Sequence, residues 1–191
     1  AITSFTVNMG KPLTLSNLSL KAWEKVFSRA SIISSTTNSF ITATAAAFFG
    51  ILISCVMAYL LQRTNVKGKR IPDFLITLGS GTPSVTIALA LIISMRGKFG
   101  INIYNTLTIM VVAYMIKYML MGMRTVVSAM SQVHPSLEEA AQISGANWLR
   151  MLKDVTLPLI GASIVAGIFL IFMPSFYELT MSTLLYSSNT K

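Results

Sequence analysis

Long apolar stretches separated by short, basic connections set the pattern of this chain. No Asp, Glu, Lys or Arg occurs between Arg29 and Arg63, between Asp73 and Arg96, or between Asp154 and Glu178. Each window holds the roughly 20 apolar residues that cross a bilayer core. The first predicts a span over about residues 38–61, where Ala43, Ala45, Ala46, Ala47 and Gly50 form a small-residue stretch suited to close helix approach. A second span, about 74–95, is interrupted at Gly79–Val85 (GSGTPSV), where two glycines and Pro83 open the helix. Irregular backbone at membrane depth requires protein or a water-filled cavity around it, so the break is either a pathway-lining element or a packing kink. A third span covers about 103–123 and a fourth about 155–176. Ahead of them, Leu20, Trp23, Val26 and Phe27 recur at helical spacing, which predicts a short amphipathic helix at the membrane surface.

Composition agrees with this reading: 53% of the residues are hydrophobic and 11% charged, outside the range of soluble domains. The net charge of +9 raises the possibility of nucleic acid, but the basic residues gather in connections between apolar runs rather than in a stripe with aromatics. Arg63, Lys67, Lys69 and Arg70 form the densest group, and the positive-inside rule places it in the cytoplasm. The spans then alternate, with residues 1–36 extracytoplasmic, RGKFGIN (96–102) a short outside turn, and 124–154 a cytoplasmic loop within a transmembrane domain of residues 37–191. Cys55, the only cysteine, lies in an apolar run, which excludes a disulfide framework within the chain. The opening residues lack a basic n-region and an apolar h-region, and an internal portion of a longer protein is expected.

Few residues invite chemistry. Lys117 lies near the inner end of the third span, where it either snorkels to the interface or serves a pathway or an acidic partner. His134 is the only histidine, which rules out a multi-imidazole metal site within the chain and leaves a solvated loop residue. The twelve methionines read as gap-fillers between helices rather than as a metal relay. There is no paired carboxylate, Ser/His/Asp set or Cys/His cluster to support an intramembrane enzyme.

The most informative stretch is the cytoplasmic one. Ser136 followed by Glu139 has the form of a capping box, with Pro135 ending the preceding helix. Leu137, Ala140, Ala141, Ser144 and Trp148 recur on one small-residue face suited to docking in a groove. Gly145 suits a left-handed helix end and Asn147 a second N-cap, while Leu157 and Pro158 mark the entry to the fourth span.

Glu139-Ala140-Ala141, then Gly145, then Val155-Thr156-Leu157-Pro158 resembles the EAA loop of binding-protein-dependent ABC transporter permeases, with Val155 in place of the family's Ile. The resemblance extends from NSFITATAAAFFGILISCVMAYLL to the tail FYELTMSTLLYSS and is nearest to the iron(III), putrescine and aminoethylphosphonate type. Lys117 stands where such permeases often carry Arg, and Gly79 where Pro is common. The resemblance implies an all-α, polytopic helix bundle in the bacterial inner membrane, four spans of it visible here, plus a coupling helix. Its ATPase-coupling residues would be Glu138, Glu139, Ala140, Ala141, Gly145, Leu157 and Pro158, and its pathway candidates Pro83, Lys117 and Glu178. Glu178, in Ser175–Leu179, would touch substrate or a docked binding protein, or line the outer mouth. The implied partners are a cytoplasmic ABC ATPase that carries the ATP, a second permease half or copy, an extracytoplasmic solute-binding protein and membrane lipid. The permease would bind no ATP itself, since no Gly-x-x-x-x-Gly-Lys-Ser/Thr motif is present. Iron(III) is the first substrate implied, with putrescine, a phosphonate or thiamine as alternatives. An ATPase-independent channel or ion-coupled carrier is the competing class; intramembrane acids lining the spans would favour it.

Overall fold

The computed structural model describes residue 5 and residues 19–96 and 102–186, Ala22 without its side chain. Among the described residues, three helices are long and apolar enough to cross a membrane: α2 (Ala30–Arg63), α5 (Leu107–Gln132) and the continuous helix Trp148–Phe176. The last comprises α7 (Trp148–Met151), a π-helical turn (Leu152–Thr156) and α8 (Leu157–Phe176). The expected second span is a pair, α3 (Arg70–Gly81) and α4 (Ser84–Ser94), whose axes differ by 112° across the Thr82–Pro83 break. α1 (Lys21–Ser28) precedes the bundle with Phe27 exposed, α6 (Pro135–Ile143) links α5 to α7, and α9 (Thr180–Leu185) follows α8. Of the expected outside turn, Arg96 and Asn102 pair in an isolated bridge, while 97–101 lie outside the described residues.

The boundaries differ from expectation where polar side chains join the helices. α2 begins eight residues before the apolar run, and within that polar extension and just after it Ser34, Thr36, Ser39 and Thr42 satisfy their hydroxyls on carbonyls three or four residues earlier. The fourth span starts at Trp148 rather than near Val155. Pro158 is therefore not at a free helix start, and the π-helical turn just before it absorbs the ladder disruption that a proline imposes inside a helix.

α2 and α5 run parallel and the 148–176 helix runs antiparallel to both, since Arg63 meets Val133 and Glu138 at one end while Phe40 meets Phe172 near the other. The three cross at glycines. A Cβ on Gly122 would lie 2.6 Å from Ile171 Cδ1 and 3.2 Å from the Gly167 carbonyl oxygen; one on Gly167 would lie 2.7 Å from Ile51 Cδ1; one on Gly50 would lie 3.1 Å from Ile171 Cδ1. Absent side chains let the backbones approach, which is how helices associate in lipid, where apolar burial drives little. We expect Gly122→Val to lower bundle stability by about 1–3 kcal/mol through overpacking, read as a lower unfolding temperature in detergent; an unchanged midpoint would contradict this crossing. Around it lie two buried clusters, one with Ala46, Ile109, Ala113 and Ile171, the other with Ile51, Val126, Met130 and Ile160. Phe48, Phe49, Phe74, Leu159 and Phe169 stay exposed, as lipid-facing positions do.

Gly79 is packed as tightly. A Cβ there would lie 2.9 Å from the Ile116 carbonyl oxygen, a backbone atom that cannot swing aside. Any larger residue at 79 requires α3 and α5 to separate.

Candidate functional site

At the end of the bundle where α2 and α5 terminate, α6 and α7 form the expected helix–turn–helix. The residue before a proline favours extended backbone, and His134 takes φ −69° and ψ 132°. Pro135 then occupies the first helical position, where its missing N–H costs nothing. This corrects the expected capping box. The N-cap is His134, whose Nδ1 accepts from the Ser136 N–H at 3.3 Å and lies 2.8 Å from the Ser136 hydroxyl. With the helix starting at 135, Glu139 falls too far along to reach back to the cap. His134 is exposed as expected, but it has a capping task.

The far end of α6 agrees with expectation. Gly145 has φ +89°, and Gly145 N donates to Gln142 O at 2.9 Å while Ala146 N donates to Ala141 O at 3.0 Å, the paired bonds of a Schellman turn. Asn147 Oδ1 accepts from Arg150 N at 2.8 Å and starts α7. Trp148 Nε1 donates to Tyr59 OH at 2.7 Å and ties the second arm to α2.

What anchors the hairpin is Glu138. Its side chain is 8% exposed, and Oε2 accepts from Arg63 Nε at 3.0 Å. Oε1 accepts from the buried Thr156 hydroxyl at 3.0 Å. The same guanidinium donates to Val133 O at 2.7 Å and to Met130 O at 3.3 Å, the latter also accepting from Val133 N where α5 ends. One buried, charge-assisted junction thus joins the end of α2, the end of α5, the first turn of α6 and the π-helical turn below α8. The resemblance implied an ATPase-coupling role for both Glu138 and Glu139; the structure turns them opposite ways, Glu138 inward and Glu139 to solvent. The outward face carries Ala140 and Ser144, with Ile143 88%, Leu149 68%, Trp148 50% and Leu137 47% exposed. Ala141 is half-buried, Leu157 and Pro158 are exposed, and nothing lies within 4 Å of a Cβ placed on Gly145. Ile143 and Leu149, the most exposed of these apolar residues, were missed because they fall outside the small-residue spacing.

The three interior candidates are not brought together into one site. Pro83 is exposed at the start of α4. Lys117 does not snorkel: Nζ donates to Ser80 O at 3.0 Å and Thr82 O at 2.7 Å, so the ammonium satisfies the carbonyls freed at the α3–α4 break. A cation at a helix C-terminus also opposes the helix dipole. Asp73, at the start of α3, pairs with Arg124 at 3.0 Å and fixes the other end of the same helix. Glu178 lies between α8 and α9, with Tyr118 OH donating to Oε2 and Met181 N donating to Oε1 at 3.1 Å. Its carboxylate is half-buried and bonded to α5 and α9.

The family described as binding-protein-dependent transport system inner membrane component matches residues 50–190. Similar proteins include a ferric transport system permease protein of Actinobacillus pleuropneumoniae, 24% identical over 98% of this chain and 27% of that protein. A sulfate transport system permease protein of Salmonella typhimurium is 26% identical over 87% of this chain and 63% of its own length. A sulfoquinovosyl glycerol transport system permease protein of Agrobacterium fabrum is 30% identical over 80% and 52%. This chain therefore spans about a quarter to two thirds of these relatives. Among solved structures, a bacterial ABC transporter involved in the import of the acidic polysaccharide alginate matches with a TM-score of 0.69 at 18% identity, covering 91% of this chain and 67% of that one, a likeness of fold.

Proposed function

Since this chain belongs to the family of binding-protein-dependent transport system inner membrane components, we propose that it is a permease subunit of an ATP-driven importer, with α6 and α7 as its ATPase-coupling element. The observation that carries the coupling reading is the Glu138 junction. A helical hairpin whose outward face offers Ile143, Trp148 and Leu149 is fixed through Glu138 on its inward face to the ends of α2 and α5 and to the π-helical turn. A partner that moves α6 must move them together, which is what a two-state transmission element requires. The partner is a cytoplasmic ABC ATPase that binds and hydrolyses the nucleotide, and this chain contributes no catalysis. A second permease half or copy and an extracytoplasmic solute-binding protein complete the assembly.

Iron(III) is the proposed substrate. The names of relatives support it, those of Actinobacillus pleuropneumoniae and Haemophilus influenzae among them, although other relatives are named for sulfate and sugars.

Gly145→Leu tests the coupling role. The left-handed backbone at 145 makes an L side chain cost roughly 1–2 kcal/mol, while the space around it is open. We expect normal membrane insertion with loss of the copurifying ATPase and of solute uptake. Failure to insert would make the turn a folding element, and unchanged uptake would end the coupling reading.

A further inference from the structure

A second polar cluster lies at the opposite end of the bundle. Tyr114 and Tyr118, four residues apart on one face of α5, are 3% and 9% exposed. The Tyr118 hydroxyl donates to the Glu178 carboxylate, and the Tyr114 hydroxyl lies 2.9 Å from Ser182 Oγ, which itself donates to the Glu178 carbonyl. Two phenols, a carboxylate and a serine hydroxyl thus converge from α5, the α8–α9 junction and α9. All are oxygen donors. Next to Ser182 lies a cavity of about 100 Å³ bordered also by Ser35, Asn38, Ser39, Leu107, Met110 and Tyr186, with room for a partly hydrated ion.

The charge of the cluster is the informative part. Asp73, Glu138 and Asp154 lie against Arg124, Arg63 and Arg150, and Glu139 and Glu24 are exposed. Glu178 is half-buried between apolar helices, and among the described residues no cationic side chain lies within ion-pair distance of it. A carboxylate withdrawn from water without a counter-charge is costly and attracts a cation. A donor set of carboxylate and phenol oxygens, without thiol or imidazole, selects hard ions, and phenolate is an established ligand of ferric iron.

We propose that Glu178, Tyr118 and Tyr114 form a transfer site for a hard, multiply charged cation, iron(III) on the substrate reading above, on which this inference rests. On binding, the Tyr118 hydroxyl proton, held by Glu178 in the empty site, is released to water. Phenolate and carboxylate oxygens then both face the metal, and Tyr114 releases a second proton if it also ligates. Entry is past Ser182 from the adjoining cavity.

The test uses the assembled transporter, purified with its ATPase and titrated with iron(III) nitrilotriacetate. The expected result is a visible phenolate-to-iron charge-transfer band that Tyr118→Phe abolishes. Glu178→Gln, which keeps the size of the side chain and an oxygen acceptor, should weaken iron binding at least about tenfold. Gallium(III), which gives no such band, should compete. A wild-type transporter without the band, or a band that survives both Tyr118→Phe and Glu178→Gln, overturns the site. Should Tyr118→Phe fail to fold, the gallium competition and Glu178→Gln decide. ATP hydrolysis stimulated by the binding protein, measured in the same preparation, separates the two claims: stimulation without the band sinks the cation site and leaves the importer, whereas an ATPase that never copurifies sinks the importer reading.

Discussion

Glu138→Ala will lower the unfolding temperature of the permease sharply, while Glu139→Ala, one residue away, will leave it unchanged. Truncating Glu138 strands the Arg63 guanidinium in a pocket where its side chain is 9% exposed and removes the acceptor of the Thr156 hydroxyl. Breaking one partner of a buried pair costs about 3–5 kcal/mol, because the remaining charge keeps its desolvation penalty and loses its compensation. Arg63→Met should cost a similar amount, since it also releases the Met130 and Val133 carbonyls. The double variant Arg63→Met with Glu138→Ala should lose less than the sum of the singles, by about 0.5–3 kcal/mol of coupling. Thermal unfolding of the four proteins in one detergent measures the cycle. Strict additivity would show that the two side chains do not act as one junction.

Lys117→Met should have the next largest effect. The substitution keeps the length and apolar stem of the side chain but leaves Ser80 O and Thr82 O without their ammonium partner. Each unsatisfied carbonyl costs about 1–3 kcal/mol. The loss is local, so backbone amide exchange at residues 82–87 should rise while the α2–α5 crossing stays protected. Lys117→Arg retains a cation with several donors and should recover most of the protection. If Lys117→Met exchanges like the parent, the ammonium is not what holds the 112° bend.

The elements legible in the sequence were those set by local chemistry. Uninterrupted apolar windows marked the spans, GSGTPSV marked the break, and Gly145 and Asn147 marked the turn and second cap of the hairpin, because helix ends are decided by residues within a turn of themselves. Pro135 was visible too, but its consequence was misassigned: fixing the first helical residue at 135 moved the cap to His134 and took Glu139 out of reach. What sequence could not carry was pairing across distance. Arg63 and Glu138 are 75 residues apart and Lys117 reaches back 35 to Thr82, so nothing local distinguishes Glu138 from Glu139, or a snorkelling lysine from one capping a broken helix. The glycine crossing was half visible, in the small-residue stretch ending at Gly50; Gly122 and Gly167 stand alone in apolar runs and acquire meaning only when three helices meet. The π-helical turn before Pro158 was hidden for a related reason, since only a helix continuing through the proline needs it.

In the proposed coupling, the outward face of α6 and α7 docks on the ATPase while Glu138 ties the hairpin to the spans. Site-specific cross-linking in membranes measures the docking directly. A cysteine replacing Ile143, the most exposed apolar residue of the hairpin, in a chain with Cys55→Ser, should cross-link to the copurifying ATPase, and the yield should change when nucleotide is added. A cysteine replacing Thr183 on α9, exposed at the opposite end of the bundle, should give no such product. Cross-linking from 183 but not from 143 would contradict the account.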